Sequence, residues 1–344
     1  MRRLLPVLIL AFAAVPAQAQ TTTPEPPPAP APAPAPVKAK MKLDLQKVGT
    51  VERAVTFTGK AFRVSGTVTP YVAGQEVRVR VYRGKQLVSA KTKKIKPSNS
   101  GTVGLFRAEF RTKVPGRLRA GVTHVRTAEM AYAHGATSNI NVISPGASPG
   151  ATGFTVKVMQ GLLRDNGYVP GHFGVYDART ARAVLAFRKM SGLARITTAS
   201  RTVLRRMING GGQFEVQYPS HGHHVEGDLT HQVLALINGN KVERLYHMSS
   251  GKPSTPTVLG HFAVYSKTPG TNSHGMIDSS YFIGGYAVHG YESVPTYPAS
   301  HGCLRVPPED AYAIYSWIGL GDKVDVYYRS GHHKKPKPSP NAGP

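Results

Sequence analysis

The decisive stretch runs Ala287-Val288-His289-Gly290, then ten residues later Ser300-His301-Gly302-Cys303-Leu304-Arg305. Cys303 is the only cysteine of the 344-residue chain. A disulfide within the chain is therefore excluded, and a leftover thiol is either intermolecular or reactive. At an ordinary pKa of ~8.5 only a few per cent of a thiol is ionised at neutral pH, so a nucleophilic cysteine needs a base. His289 and His301 both lie near enough to serve. His289 ends an apolar run that reads as a strand, and the loop after it can return its ring to the thiol. Gly302 permits a tight backbone whose amides can face a developing oxyanion. Arg305 is a fixed cation suited to a carboxylate.

Outward from this stretch, residues 213–328 read as mainly β. Val233 to Ile237 is an apolar run, Asn238-Gly239 is a hairpin signal, and Lys241 to Met248 returns. Further strands are expected at 262–265, 281–283, 286–288 and 324–327, with a helix from Asp310 to Ile318 ended by Gly319. His221, His223 and His224 cluster in what reads as a Gly-rich loop with no further ligand at a recognised spacing. No metal and no organic cofactor is expected. His274 reads as a loop residue able to touch substrate.

This pattern resembles the L,D-transpeptidase catalytic domain of bacterial cell-wall enzymes, whose signature is His-Gly, a loop, then Ser/Thr-His-Gly-Cys-x-Asn/Arg. Ser250-Gly251, Thr255-Pro256-Thr257, Gly260-His261-Phe262, Gly275 to Asp278 and Tyr281-Phe282 extend the likeness over about 115 residues. The resemblance implies a mixed, mainly β domain with a flanking helix. It also implies Cys303 as nucleophile, His289 as general base and acid, and an oxyanion hole of the amides around Gly302 and Cys303. Ser300, His301 and Arg305 would shape the pocket, and the Gly290 carbonyl is the candidate to orient His289. The implied reaction is acyl transfer between peptidoglycan stem peptides through a cysteine thioester, giving 3→3 cross-links. Water as acceptor would make the same site a carboxypeptidase, and a protein amine would make it attach protein to the wall. A carbapenem is expected to form a covalent adduct on the cysteine. A non-catalytic wall-binding protein is the competing reading, but it leaves the only cysteine inside a full catalytic motif unexplained. A Cys/His endopeptidase would show the opposite order of the two residues.

Upstream, residues 41–145 alternate Val77, Val79 and Val81 with charged residues, and likewise Phe106, Ala108 and Phe110, then Leu118, Ala120 and Val122. Period-two alternation with Gly and Pro turns predicts an Ig-like β-sandwich, read here as a basic spacer. Residues 144–153 read as a linker. Residues 151–212 predict three helices: 155–166, a second capped by Asp177, and 199–208. They resemble the small peptidoglycan-binding domain through Val158-Met159-Gln160, Leu163, Gly167-Tyr168, Gly171, Phe173 to Tyr176, Thr180, Ala183-Val184, Phe187 and Gly192-Leu193. Phe173 departs from the usual acidic residue, and Arg195-Ile196-Thr197 replaces a second Asp-Gly turn.

Residues 1–19 read as a secretory signal peptide: Arg2 and Arg3, an apolar stretch from Leu4 to Val15, and Ala17-Gln18-Ala19. A Pro/Ala-rich linker spans 20–40, and a disordered basic tail with His332 and His333 spans 329–344. The chain is thus expected to be exported to the cell wall or periplasm, which makes nucleic acid an improbable partner.

The net charge of +25 is uneven: residues 41–145 carry +14, 151–212 carry +8 and 213–328 carry −4. Such a positive face favours anionic wall polymers. Exposed charges are screened over about 10 Å at 0.1 M salt, so retention of a 41–212 segment on purified sacculi should fall as NaCl is raised. Salt-independent retention would instead point to glycan recognition by residues 154–208.

Overall fold

The structure, a computed structural model, describes residues 35–45 and 54–329. The expected signal segment, the linker up to residue 34 and the tail from residue 330 lie outside the described residues. The fold is mainly β.

The first segment contains β1 (Val37–Lys38), β2 (Lys40–Leu45), β3 (Val55–Phe57), β4 (Phe62–Thr69), β5 (Glu76–Arg83), β6 (Gln86–Lys94), β7 (Lys96–Pro97), β8 (Gly104–Phe110), β9 (Gly116–His124), β10 (Met130–Ala131) and β11 (Ala133–Ile143). They form two main sheets, β3-β11-β9-β5-β6 and β2-β4-β8-β7. The alternating residues read from the sequence supply their common core: Val77, Val79, Val81, Phe106, Ala108, Phe110, Leu118, Ala120 and Val122 are all buried in one cluster. Strand structure starts at Val37, inside the span read as linker. The proline tract ends at Pro36, and from there backbone amides are free to pair, as Val37 and Lys38 do with Met130 and Ala131.

Helices α1 (Phe154–Asp165), α2 (Ala178–Met190) and α3 (Arg201–Ile208) follow. Asp177 caps α2: one carboxylate oxygen accepts from the Thr180 amide at 2.8 Å, the other from the His172 amide at 2.8 Å. Gln160 of α1, fully buried, bonds the His172 and Val175 carbonyls and the Gly174 amide, pinning the loop between α1 and α2. The 144–153 stretch is less of a free linker than its composition suggests. Ser144 donates to Thr155 Oγ1, and Ala147 exchanges two backbone bonds with Ala199.

The last segment contains β12 (His223–Asp228), β13 (Val233–Asn238), β14 (Lys241–His247), β15 (Gly260–Ala263), β16 (Ser266–Thr271), β17 (Ile277–Ile283), β18 (Tyr286–Gly290), β19 (Leu304–Val306), α4 (Pro308–Trp317) and β20 (Lys323–Tyr327). Two sheets result, β14-β13-β12-β20-β15 and β16-β17-β18-β19. The expected β13–β14 hairpin turns through Gly239 at φ +57°. Helix α4 starts two residues before the expected Asp310, because proline is at home in a first turn where its missing N–H costs nothing. Arg329, read as the start of the tail, belongs to this domain: its Nε donates to Asp228 at 2.7 Å and its amide to Thr230. His223 and His224 lie in β12 rather than in a loop.

Strand β13 is buried on both faces. Val233, Ala235 and Ile237 join the core of the helical segment, while Leu234 and Leu236 join the core of the last domain.

Burial alone would raise the Asp177 carboxyl, but the bonds from Thr180 and His172 outweigh it and hold the group well below the usual carboxylate range. A depressed folded pKa gives stability that is present above the unfolded value near 4 and is lost as pH falls below it. Asp177→Ala should cost about 1 kcal/mol at pH 7, a typical cap loss. The gap between wild type and variant should narrow below pH 4 in denaturant unfolding. A gap constant from pH 7 to 3 would mean the charge plays no part.

Candidate active site

The two halves of the decisive stretch meet as parallel neighbours. In β18 and β19, Val288 pairs with Leu304, His289 with Arg305 and Gly290 with Val306. A parallel pair needs a crossover, and residues 291–303 provide it, bringing Cys303 to the start of β19. His289, Cys303, Ser300, His301, Arg305, Tyr291, Met276 and His274 line one cavity of about 360 Å³. His274, read from the sequence as a loop residue able to touch substrate, is thus one of the cavity's lining residues.

The turn before the thiol is over-determined. Ser300, fully buried, accepts from the Gly302 amide at 3.0 Å and donates to the Cys303 carbonyl at 2.6 Å. Its own amide bonds the Ser250 carbonyl, and its carbonyl accepts from the Lys252 amide and the Thr255 hydroxyl. Gly251 donates to Thr257 Oγ1 at 2.8 Å. The Ser250-Gly251 and Thr255-Pro256-Thr257 motifs thus form the floor beneath Ser300. Gly302 sits at φ +123°, and a Cβ there would lie 1.8 Å from the Tyr286 ring. Its amide already has an acceptor within the turn, the Ser300 hydroxyl. Gly290 packs against Ala311, where a Cβ would meet another at 2.5 Å.

His289 is buried, and its Nδ1 donates to the Gly290 carbonyl at 2.8 Å, the partner expected for it. That bond fixes the tautomer and leaves Nε2 with a free lone pair. Burial lowers the imidazole to about 4; the Gly290 bond opposes this, and the Arg305 charge adds to it. The half-buried Cys303 has its thiol pushed up by burial, against the backbone at Ala287 and the Arg305 charge. Its Sγ lies 3.7 Å from the Gly285 carbonyl. At neutral pH both groups are uncharged. Two cations rim the mouth: Arg305, 3.9 Å over the Tyr291 ring, and Lys252, whose Nζ is 3.2 Å from His301 Nε2. Lys252 follows Ser250-Gly251 directly, which is the only signal in the sequence that could have drawn it into the site.

The three histidines of the expected cluster diverge. His223 pairs with Asp322 and stacks on Trp317, and His224 is buried beside Glu226. His221 instead joins His261 on opposite oxygens of the buried Asp325, at 2.9 and 2.7 Å. Those three residues are the set among the described residues whose ligand atoms converge closely enough for a metal ion.

The YkuD family profile, described as the L,D-transpeptidase catalytic domain, matches residues 222–326. Among solved structures, an L,D-transpeptidase from Xylanimonas cellulosilytica is 34% identical, with 53% of this chain and 97% of that one covered and a TM-score of 0.50. A cysteine-to-serine variant of the Enterococcus faecium L,D-transpeptidase is 25% identical, covering 37% and 62% at a TM-score of 0.28. An L,D-transpeptidase from Mycobacterium smegmatis is 13% identical, covering 85% and 100% at 0.27. A search of curated proteins found no match.

Gly302→Ala meets both a backbone penalty and the Tyr286 ring. It should destabilise the protein by roughly 2–3 kcal/mol in denaturant unfolding. Adding Tyr286→Ala removes the ring but not the φ, so the double variant should recover only part. Unchanged stability in Gly302→Ala would mean that the turn relaxes freely.

Proposed function

Because this chain belongs to the L,D-transpeptidase family, a family of peptidoglycan-directed acyltransferases, we propose that it is an exported cross-linking enzyme working through a Cys303 thioester. The carrying observation is that the His289 tautomer is fixed by Gly290, with Nε2 unprotonated, in the cavity that holds Cys303. In this reading Cys303 Sγ attacks the donor-stem carbonyl at the L-centre of diaminopimelate, and the thiol proton passes to His289 Nε2. The tetrahedral intermediate collapses, the carbon–nitrogen bond breaks, and D-alanine leaves with the proton returned by His289. The amine of a second stem then attacks the thioester, gives its proton to His289 and releases the thiol.

The other roles follow from the contacts. Of the amides around Gly302 and Cys303 read as the oxyanion hole, that of Cys303 is assigned to the oxyanion, since the Gly302 amide bonds Ser300. Ser300 and Gly302 hold the turn rather than contact substrate. Arg305, with Lys252 and His301 beside it, suits the carboxylates of the stem. The basic sandwich and the helical segment are proposed to retain the enzyme on anionic wall polymers and peptidoglycan. No metal or cofactor has a part in this reading.

A positioned base typically contributes 10²–10⁴-fold. His289→Ala should therefore slow single-turnover acylation of Cys303 by a carbapenem by about that range at pH 7, and more than His301→Ala does. With the imidazole titrating at about 4, the wild-type rate should be flat from pH 6 to 8. The His289→Ala rate should climb toward pH 9 as hydroxide supplies thiolate. If His301→Ala is the slower variant and the one rescued by high pH, the two roles are exchanged. Cys303→Ser should form no adduct and no cross-linked muropeptide.

A further inference from the structure

The crossover between His289 and Cys303 is a 13-residue loop, and what holds it decides how the thiol meets its base. Its backbone is tethered at several points. Ser249 Oγ donates to the Tyr297 carbonyl at 2.7 Å, and the amides of Ala299 and Ser300 reach the Ser250 carbonyl. The other tethers start outside the catalytic domain. Arg195, after α2, donates through Nη1 to the Thr296 carbonyl at 2.6 Å and through Nη2 to the Thr230 carbonyl at 3.3 Å. Lys189, at the end of α2 and 3% exposed, enters the catalytic domain. Its Nζ bonds the carbonyls of Gln232 at 2.9 Å and Met248 at 3.1 Å, and His247 Nδ1 at 2.6 Å. His247 Nε2 in turn bonds the Val294 carbonyl at 2.9 Å.

The proton count on this chain is closed. A carbonyl only accepts, so His247 Nε2 carries the hydrogen toward Val294. In a neutral ring Nδ1 is then a lone pair. Lys189 faces three acceptors and needs all three ammonium protons to satisfy them. Burial and the Arg195 charge push the Lys189 ammonium down, and burial and the Lys189 charge lower His247 to about 3; the three acceptors around Nζ are what keep the pair's one extra proton on the lysine. The lysine thus selects the one tautomer that can hold Val294. Arg195 also marks the point where the helical segment departs from the peptidoglycan-binding pattern, the Arg195-Ile196-Thr197 turn.

We propose that Lys189 and Arg195 are positioning residues for acyl transfer. From the helical segment they fix the Val294 and Thr296 carbonyls, one through His247 and one directly, and so set the loop that carries Cys303 to His289. This rests on the roles given to Cys303 and His289 above. The helical segment is then part of the catalytic unit, whatever wall component it also binds.

The full chain tests this by two independent readouts: hydrogen–deuterium exchange of peptides covering 291–300, and single-turnover adduct formation with a carbapenem. Arg195 is exposed, so Arg195→Ala should fold as wild type. It should raise exchange within 291–300 alone and slow acylation at saturating carbapenem roughly tenfold, since small misplacements cost rate steeply. Arg195→Lys, which keeps a donor toward Thr296, should recover most of both. Lys189→Met, of similar length without the protons, should show the same localised exchange and a larger loss of rate. Wild-type exchange and rate in Arg195→Ala would overturn the proposal, as would exchange that rises evenly over 222–326. A wild-type protein that takes no adduct would instead remove the reading of Cys303, and the exchange data would still decide whether the two cations hold the loop.

Discussion

The burial of β13 on both faces is the constraint from which the rest follows. A strand with one wet face alternates; Val233-Leu234-Ala235-Leu236-Ile237 does not. Its even members fill the catalytic core and its odd members need a second cover. The helical segment supplies that cover with Val184, Phe187, Leu163 and Tyr168 in the same cluster. Removing the helices would expose a continuous apolar face at about 25 cal/mol per Å². The polar contacts of the seam are arranged around this apolar centre. Arg179 and Arg182 pair with the buried Asp310 of α4 on one side, and Lys189 and Arg195 reach the loop side. Burial pushes Asp310 upward against both arginine charges, the desolvation cost that a buried ion pair has to overcome.

Docking in turn explains how a long crossover can be precise. Thirteen residues between parallel strands would ordinarily be the most mobile part of a domain. Here the carbonyls of Val294, Thr296 and Tyr297 each have a side-chain donor. The far end is locked by Ser300, whose hydroxyl spans the turn from the Gly302 amide to the Cys303 carbonyl. The cavity is thus lined from strand ends and a stapled loop, which fix side chains better than a free loop does.

How much of this the residues announce depends on distance along the chain. The sandwich strands, the helix capped by Asp177 and the 238–239 hairpin rest on local patterns and were all readable. So were the meeting of Cys303 and His289 in one cavity and even the Gly290 acceptor, because a strand-ending histidine has its next carbonyl within reach. The use of the Gly302 amide by Ser300 was not readable, since a glycine motif does not say where its N–H points. Lys189 meets its partners 43 to 59 positions away and Arg195 reaches Thr296 across 101. No periodicity encodes such contacts. The His221, His223 and His224 run misleads for the same reason: His221 lies in the turn before β12, His223 and His224 alternate sides within it, and Asp325 lies 104 residues from His221.

The electrostatics of the resting site also have a direction. With burial pushing the thiol above its ordinary range and the imidazole near 4, both groups rest neutral, and moving the proton from Cys303 to His289 before substrate binds is uphill. In the reaction proposed above, ionisation then accompanies attack, as the negative charge passes from sulfur to the carbonyl oxygen. Arg305, the register partner of His289, works on both sides of this balance. Its charge lowers the thiol pKa, which helps ionisation, and lowers the imidazole pKa, which keeps the base free but weakens it. A neutral resting thiol has a further consequence. Oxidation follows thiolate character and exposure, so in the extracytoplasmic setting proposed for this enzyme the same burial that raises the thiol pKa also protects its single cysteine.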